Sequence, residues 1–145
     1  MPASERSRTL RPTPDGHAQV RRAHSSELTE DYVEAIHDII ESRTVCKLVD
    51  LARHFGVSHV TVNKAIGRLV RDGLVRTMPY KPVELTPKGQ KMAQHARERH
   101  ETVVRFLLAL GVDTKTAQID AEGIEHHVSP KTLRAMERFV KAADK

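Results

Sequence analysis

The chain has 145 residues, of which 39% are hydrophobic, 30% charged and only 3% aromatic, with no tryptophan. This balance is typical of a helix-rich protein with an aliphatic core and argues against an all-β sandwich or barrel. The single cysteine, Cys46, excludes a disulfide framework and a cysteine-rich zinc site. No apolar run is long enough for a membrane span and no apolar signal core is present, so we expect a cytoplasmic protein without a membrane partner.

The formal net charge of +5 is unevenly distributed along the chain. Residues 27–44 carry six acidic side chains and one basic side chain, whereas residues 45–90 carry eight basic and three acidic ones. This segregation predicts an acidic site beside a basic surface, and the basic surface favours an anionic partner.

The first predicted helix follows a polar segment. Residues 1–23 are rich in Arg, Pro and Ser and lack apolar periodicity, which predicts a disordered basic arm. From Glu27 to Arg43, apolar residues recur at helical spacing. Another face of this helix carries a stripe of carboxylates, namely Asp31, Glu34, Asp38 and Glu41. Because like charges at this spacing repel one another, the stripe requires a compensating interaction.

The next elements predict a winged helix-turn-helix domain over residues 24–86. Two short amphipathic helices are separated by Gly56, which ends the first, and Ser58, which caps the second. Strands at Val75–Met78 and Val83–Leu85 then predict a hairpin, the wing. Helix, turn, helix and hairpin in this order are typical of DNA-binding domains.

The second helix of the pair is predicted to enter the major groove of DNA, which is wide enough to admit it. Its first turns offer polar side chains to base edges, and basic residues further along are placed to contact phosphates. The predicted base contacts are Ser58, His59, Thr61, Asn63 and Lys64, and the predicted phosphate contacts are Arg68, Arg71, Arg76 and Lys81. A winged helix that binds protein instead of DNA is the alternative, and the basic charge favours DNA.

The remainder, residues 87–145, is predicted to be entirely helical. Thr86 and Pro87 begin a long helix that runs to Leu110 and stops at Gly111. Two further helices begin at Asp113 and at Ser129-Pro130. The predicted fold is therefore mainly α, with an N-terminal winged helix-turn-helix followed by a helical domain.

A cluster of carboxylates and histidines in this second domain predicts a metal site. On a helix, Glu122, Glu125 and His126 share one face because they lie three and four residues apart. A lone histidine is more often a surface residue than a ligand, but His100 and the acidic stripe are otherwise unexplained. Oxygen and imidazole ligands without a thiolate suit divalent manganese, iron or zinc.

Four segments together resemble the manganese transport regulators of the diphtheria-toxin-repressor family. They are DYVEAI at residues 31–36, the winged helix, RERHETV at 97–103 and DAEGIEHHVS at 120–129. The resemblance covers residues 24–143. It implies a metal-loaded homodimer that represses metal-uptake genes from a palindromic operator, with helices 87–145 serving metal binding and dimerisation. It also implies a site for two Mn²⁺ ions in each protomer, with Fe²⁺ as an alternative. The implied ligands are Asp31, Glu34, His100, Glu122, Glu125 and His126.

The same resemblance separates the manganese branch of the family from the iron branch. Iron-sensing members resemble this pattern but have Met at the position of Asp31 and Cys at that of Glu122. They usually carry a third, SH3-like domain, which we do not expect in this protein. An iron-responsive repressor, a two-metal hydrolase and a redox sensor based on Cys46 are the alternatives. We expect a regulator that is not an enzyme and takes no small organic substrate.

Overall fold

The computed structural model describes residues 10–144, apart from the side chains of residues 23–25. This part of the chain forms six helices and one two-stranded sheet. The helices are α1 (Pro14–Arg43), α2 (Leu48–Phe55), α3 (His59–Arg71), α4 (Pro87–Ala109), α5 (Thr114–Ile124) and α6 (Pro130–Ala143), and the strands are β1 (Val75–Arg76) and β2 (Glu84–Leu85). The mainly helical prediction is confirmed.

Helix α1 begins much earlier than the sequence pattern predicted, at Pro14 instead of Glu27. The side chain of Thr13 caps it, because its Oγ1 accepts a hydrogen bond from the Gly16 amide at 3.0 Å. The disordered arm predicted over residues 1–23 is therefore wrong for residues 14–23, while residues 1–9 lie outside the described chain. Once the packed half of a helix has formed, each added residue gains a hydrogen bond without a second nucleation cost.

The helix-turn-helix forms as predicted. Gly56 ends α2 in the left-handed conformation with φ of 64°, which glycine adopts without steric cost. Ser58 caps α3, its Oγ accepting from the Thr61 amide at 3.2 Å. The buried face of α3 consists of Val62, Ile66 and Leu69.

The wing is shorter than predicted. Val75 pairs with Leu85 and Arg76 with Glu84 in antiparallel register, and an isolated bridge joins Cys46 to Val83. Prolines at the hairpin tip lack the amide hydrogen that a longer ladder needs, which explains why the strands end early. Thr86 returns the chain to the core, donating from Oγ1 to the Gly73 carbonyl at 2.6 Å.

The hydrophobic core lies between α1, the helix-turn-helix, the wing and the start of α4. Its buried side chains include Val33 and Ile36 of α1, Leu51 of α2 and Leu69 of α3. Helix α4 continues away from this core and packs against α5 and α6. Since α1 also packs along α4, its acidic stripe lies beside the helices of the second domain. None of the helices in the described part of the chain is long and apolar enough to cross a membrane.

Candidate metal centre and nucleic-acid surface

The six predicted metal ligands come together from three regions of the chain. Helix α1 supplies Asp31 and Glu34, α4 supplies His100, and the end of α5 supplies the rest. Together with Glu27, which was not among the predicted ligands, these six residues form three groups, and within each group the ligand atoms lie within 4.8 Å of one another. The groups are Glu34, Glu125 and His126; His100, Glu122 and Glu125; and Glu27, Asp31 and His126.

Glu125 joins two of these groups and is the most deeply buried of the carboxylates, with 1% of its surface exposed. It occupies the C-terminal cap of α5, where the backbone is still helical. Nδ1 of His100 lies 2.7 Å from Oε2 of Glu125, and the Oε1 atom of Glu122 lies 3.5 Å from the same nitrogen. The carboxylate of Glu125 is thus placed between two adjacent candidate metal positions.

The ring of His126 is oriented by both of its nitrogens. Nε2 lies 3.3 Å from Oδ1 of Asp31 and 3.5 Å from Oε1 of Glu125, on the side of the candidate ligands. Nδ1 lies 2.7 Å from Oε2 of Glu30, on the opposite side. The imidazole therefore presents Nε2 to the cluster.

Two carboxylates near the cluster escaped the sequence analysis. Glu27 shares a group with Asp31 and His126, and Glu30 contacts both His126 and Arg99. Both lie on the acidic face of α1, one helical turn before residues that were selected. The sequence places Glu27 and Glu30 on this acidic face, but it does not show which carboxylates of the face contact α5.

The donor set fits a divalent cation. Oε1 of Glu34 and Oε1 of Glu125 are buried, and within the described chain neither has a hydrogen-bond partner. A buried carboxylate oxygen without a partner is costly, whereas a cation would satisfy it. Oxygen and nitrogen donors without sulfur are the set that hard divalent ions accept.

The protonation behaviour shows how much negative charge is concentrated here. Burial, together with the neighbouring carboxylates, raises the pKa of Glu34 to about 7 and that of Glu125 to about 7. Hydrogen bonds to Asp31 and Glu30 raise the pKa of His126 to about 10. In all three cases the negative surroundings favour the protonated form, so the cluster also favours binding of a positive ion.

The nine predicted DNA contacts are all exposed, on α3, its capping residue and the wing. The hydroxyls of Ser58 and Thr61 lie 3.1 Å apart and hold the first turn of α3, so these two residues also have a capping role. Val60, which is 63% exposed on α3, and Tyr80, which is fully exposed at the wing tip with φ of 63°, lie on the same two elements and were not among the predicted contacts.

Cys46 has no features of a redox sensor. It is fully buried, and burial together with nearby Asp50 raises the pKa of its thiol to about 11. A redox-sensing cysteine needs a lowered thiol pKa, so the setting of Cys46, which disfavours the thiolate, argues against the redox alternative.

Comparison with known families gives two consecutive matches. Residues 24–83 match the family model described as iron dependent repressor, N-terminal DNA binding domain. Residues 86–145 match the model described as iron dependent repressor, metal binding and dimerisation domain.

Curated relatives agree with this assignment. The chain is 49% identical over 125 residues to the transcriptional regulator MntR of Escherichia coli O157:H7, covering 86% of this chain and 81% of the relative. It is 37% identical over 100 residues to the HTH-type transcriptional regulator MntR of Bacillus pumilus, covering 69% of each.

Solved structures show the same fold. One is described as a manganese-dependent transcriptional repressor complex with manganese, with a TM-score of 0.69 and 29% identity. Another is the IdeR protein of T. acidophilum, with a TM-score of 0.64 and 26% identity. These matches cover 77% and 76% of this chain, which spans about half the length of each of those structures, 52% and 53%.

The two family matches cover most of the chain. The winged helix lies in the match described as DNA binding, and the candidate ligands His100, Glu122, Glu125 and His126 lie in the match described as metal binding and dimerisation. Asp31 and Glu34 reach the cluster from the first match. Members of this family are transcriptional regulators, which disfavours the two-metal hydrolase. The chain belongs to the iron-dependent repressor family, also called the diphtheria-toxin-repressor family, of metal-dependent DNA-binding transcriptional regulators.

Proposed function

We propose that this protein is a cytoplasmic, manganese-responsive transcriptional repressor of metal-uptake genes. The observation that supports this most directly is the convergence of Glu34 from α1, His100 from α4 and Glu125 from the end of α5 on one cluster with unpartnered buried oxygens. A candidate cation site in one region and an exposed, basic helix α3 in another would together allow metal to control DNA binding.

Two divalent cations in each protomer account for the charge of the cluster. Glu34, Glu125 and His126 would hold one ion, with Asp31 beside Nε2 of His126 as a further ligand, and His100, Glu122 and Glu125 would hold the second. The four candidate carboxylate ligands, Asp31, Glu34, Glu122 and Glu125, supply four negative charges, which two divalent cations would neutralise. Bound cations supply positive charge that removes the repulsion between these carboxylates.

The location of the cluster explains how metal binding would reach DNA. Helix α1 packs against both the helix-turn-helix and α4, so residues on α1 belong to the DNA-binding half while the other ligands belong to the second half. Metal binding would join the halves and set the distance between two recognition helices in a dimer. The coupling is reciprocal, so operator DNA tightens metal binding by the same factor.

Manganese is favoured over iron by the residues at two positions. Asp31 and Glu122 supply carboxylate oxygens where softer metals prefer sulfur. Relatives from Escherichia coli and Bacillus pumilus carry the name MntR, and one similar structure is described as a complex with manganese. Since manganese binds most weakly in the first-row series, selectivity must come from geometry and from occupancy of both positions.

We also propose that DNA is bound by a homodimer. The second half of the chain exposes the apolar side chains of Leu108 on α4, Leu110, Ile119 on α5 and Phe139 on α6. Residues 86–145 also match the family model described as a metal binding and dimerisation domain, which supports burial of such side chains against a second copy of the chain. A two-fold dimer presents two recognition helices to two halves of a palindromic site. The division into residues 24–86 for DNA binding and 87–145 for metal binding and dimerisation is part of this proposal.

The deciding experiment is a metal titration of DNA binding. Duplexes are first selected from a random library with manganese-loaded protein, and their affinity is then measured with Mn²⁺, anaerobic Fe²⁺ or Zn²⁺ while bound metal is counted per protomer. We expect palindromic duplexes, tight binding with manganese, two ions per protomer, and zinc that binds well but activates poorly. Equal DNA affinity with and without metal would overturn the proposed function, and one ion per protomer would remove the two-ion site.

A further inference from the structure

Glu30 lies outside the six candidate ligands, yet its carboxylate connects three structural elements. Oε2 of Glu30 on α1 accepts a hydrogen bond from Nη2 of Arg99 on α4 at 2.7 Å. The same oxygen accepts from Nδ1 of His126, beyond the end of α5, at 2.7 Å. These side chains are largely sheltered, with 18% of Glu30, 23% of Arg99 and 2% of His126 exposed. Hydrogen bonds sheltered from water in this way are stronger than exposed ones.

This contact determines which nitrogen of His126 is available to a metal. A neutral imidazole carries one proton, and the nitrogen that keeps the proton has no lone pair to donate. Because the Glu30 carboxylate accepts from Nδ1–H, the lone pair remains on Nε2. Nε2 is the atom that faces Asp31 and Glu125. A carboxylate behind a ligand histidine fixes the tautomer and the ring orientation and increases the basicity of the ligand nitrogen.

We infer that Glu30 is a positioning residue, which holds His126 with Nε2 toward the metal centre, and that Arg99 holds Glu30 in place for this role. The inference rests on the proposed metal centre. Arg99 directly precedes His100 on α4, so one turn of this helix supplies a candidate ligand and also orients a second one through Glu30. The hydrogen bonds of Glu30 to Arg99 and His126 thereby link the DNA-binding half to the second half, in addition to any link made by a bound metal.

A purely structural role for the Glu30–Arg99 pair is the competing explanation, and the chain offers a matched control. Asp38 on α1 and Arg97 on α4 join the same two helices, with 3.1 Å between Oδ1 and Nη2. This pair is more exposed, at 64% for Asp38 and 52% for Arg97, and His126 is not among its partners in the described chain. Removing the Asp38–Arg97 ion pair weakens the contact between α1 and α4 but leaves the hydrogen bond between Glu30 and His126 in place.

The first measurement reads the ring of His126 directly. We would record imidazole ¹⁵N NMR spectra of zinc-loaded protein, zinc serving as a diamagnetic probe, for the wild type, Glu30→Ala, Glu30→Gln and Asp38→Asn. We expect zinc on Nε2 and a proton on Nδ1 in the wild type and in Asp38→Asn, and loss of this single pattern in Glu30→Ala. Glu30→Gln should recover it, because its amide oxygen still accepts from Nδ1–H.

The second measurement is the affinity for Mn²⁺ alone, followed by the electron paramagnetic resonance signal of the free ion. We expect Glu30→Ala to weaken binding about 10- to 100-fold, as loss of a histidine's supporting carboxylate does. Glu30→Gln should regain most of this loss, and Asp38→Asn should bind as the wild type does. Wild-type affinity together with a wild-type ring spectrum in Glu30→Ala would overturn the inference.

If Glu30→Ala does not fold, Arg99→Gln provides the test. It leaves Glu30 without its anchor, so we expect a smaller but measurable loss of manganese affinity and a mixed His126 ring signal. An unchanged affinity and an unchanged ring signal in this variant would equally overturn the inference. Failure of the wild type to bind manganese would instead overturn the proposed function, so the two failures are distinguishable.

Discussion

The Nδ1 atom of His100 lies 2.7 Å from Oε2 of Glu125, joining the middle of α4 to the end of α5. Glu125 is fully enclosed, and its second oxygen lies 3.5 Å from Nε2 of His126. One buried carboxylate therefore stands between two histidines from different parts of the chain. Substitutions at Glu125 and at its neighbours should consequently have different effects on metal binding.

We predict that Glu122→Ala lowers the manganese content from two ions to one per protomer, because Glu122 belongs to one group of candidate ligands. Glu125→Ala should abolish tight binding of both ions, because Glu125 belongs to two groups. Metal analysis of dialysed protein and calorimetric titration measure both quantities. Equal stoichiometry in the two variants would contradict the shared role of Glu125.

We predict that the protein without added metal becomes less stable as the pH rises from about 5 to about 8. The pKa of Glu34 and that of Glu125 are raised to about 7 in the folded chain, from an ordinary value of 4.5. Over this range the folded chain keeps protons that the unfolded chain has lost, so the free energy of unfolding falls. The raised pKa of His126, about 10, acts in the same direction, because its contribution is lost as the pH rises through that value.

Thermal unfolding at the two ends of this range, with and without manganese, measures the effect. Manganese should stabilise the protein more at the higher pH, since the ligands must lose their protons to bind it. The control is Glu125→Gln, a neutral side chain of similar shape, in which the loss of stability with pH should be smaller. An unchanged pH dependence in this variant would contradict the assignment to the cluster.

We predict that the double substitution Asp31→Met and Glu122→Cys shifts the metal response from manganese toward iron and other softer ions. A thioether and a thiolate replace two carboxylates, and sulfur ligands favour softer metals. DNA binding titrated with manganese and with anaerobic iron measures the ratio of the two responses. An unchanged ratio would contradict the assignment of both residues as ligands.

We predict that Asn63→Ala and Arg68→Ala weaken DNA binding in different ways. Asn63 is exposed in the first half of α3, where it would reach a base edge, so its loss should cost about 1–3 kcal/mol and relax the preference at one base pair. Arg68 would contact a phosphate, so its loss should weaken binding to all sequences and reduce the salt dependence. Affinities for matched and mismatched duplexes at several salt concentrations distinguish the two outcomes. Identical effects of both substitutions would contradict these roles.

We predict opposite effects on stability for alanine at two helical glycines. At Gly89, in the first turn of α4, a Cβ atom would collide with the carbonyl oxygen of Leu74. Gly89→Ala should therefore destabilise the protein by about 1–3 kcal/mol, the range typical of overpacking. At Gly67 in α3 the nearest atom would be the flexible end of Arg71 at 3.7 Å, so Gly67→Ala should stabilise by about 1 kcal/mol. Urea unfolding measures both, and a neutral Gly89→Ala would contradict the close approach.

Much of the fold follows from local chemistry that a sequence displays. Thr86, Asp113 and Ser129 each cap a helix where the sequence pattern predicted it, and Gly56 ends α2 as expected. A capping side chain bonds to amides only two or three residues away, so the information is contained in a few consecutive residues. The start of α1 escaped prediction because an exposed polar turn can extend a helix that already exists, and apolar periodicity does not report this.

By itself, the sequence determined the kinds of ligand and the class of protein. Carboxylates and imidazoles without a thiolate select hard divalent cations, and segments in a fixed order identify the family. Only the tertiary structure decided which carboxylate serves which purpose. Glu30 and Asp31 are neighbours on the chain, but Asp31 faces Nε2 of His126 and Glu30 faces Nδ1. His126 lies some ninety-five residues away, and its ring orientation depends on how α1, α4 and α5 pack, which no local pattern records.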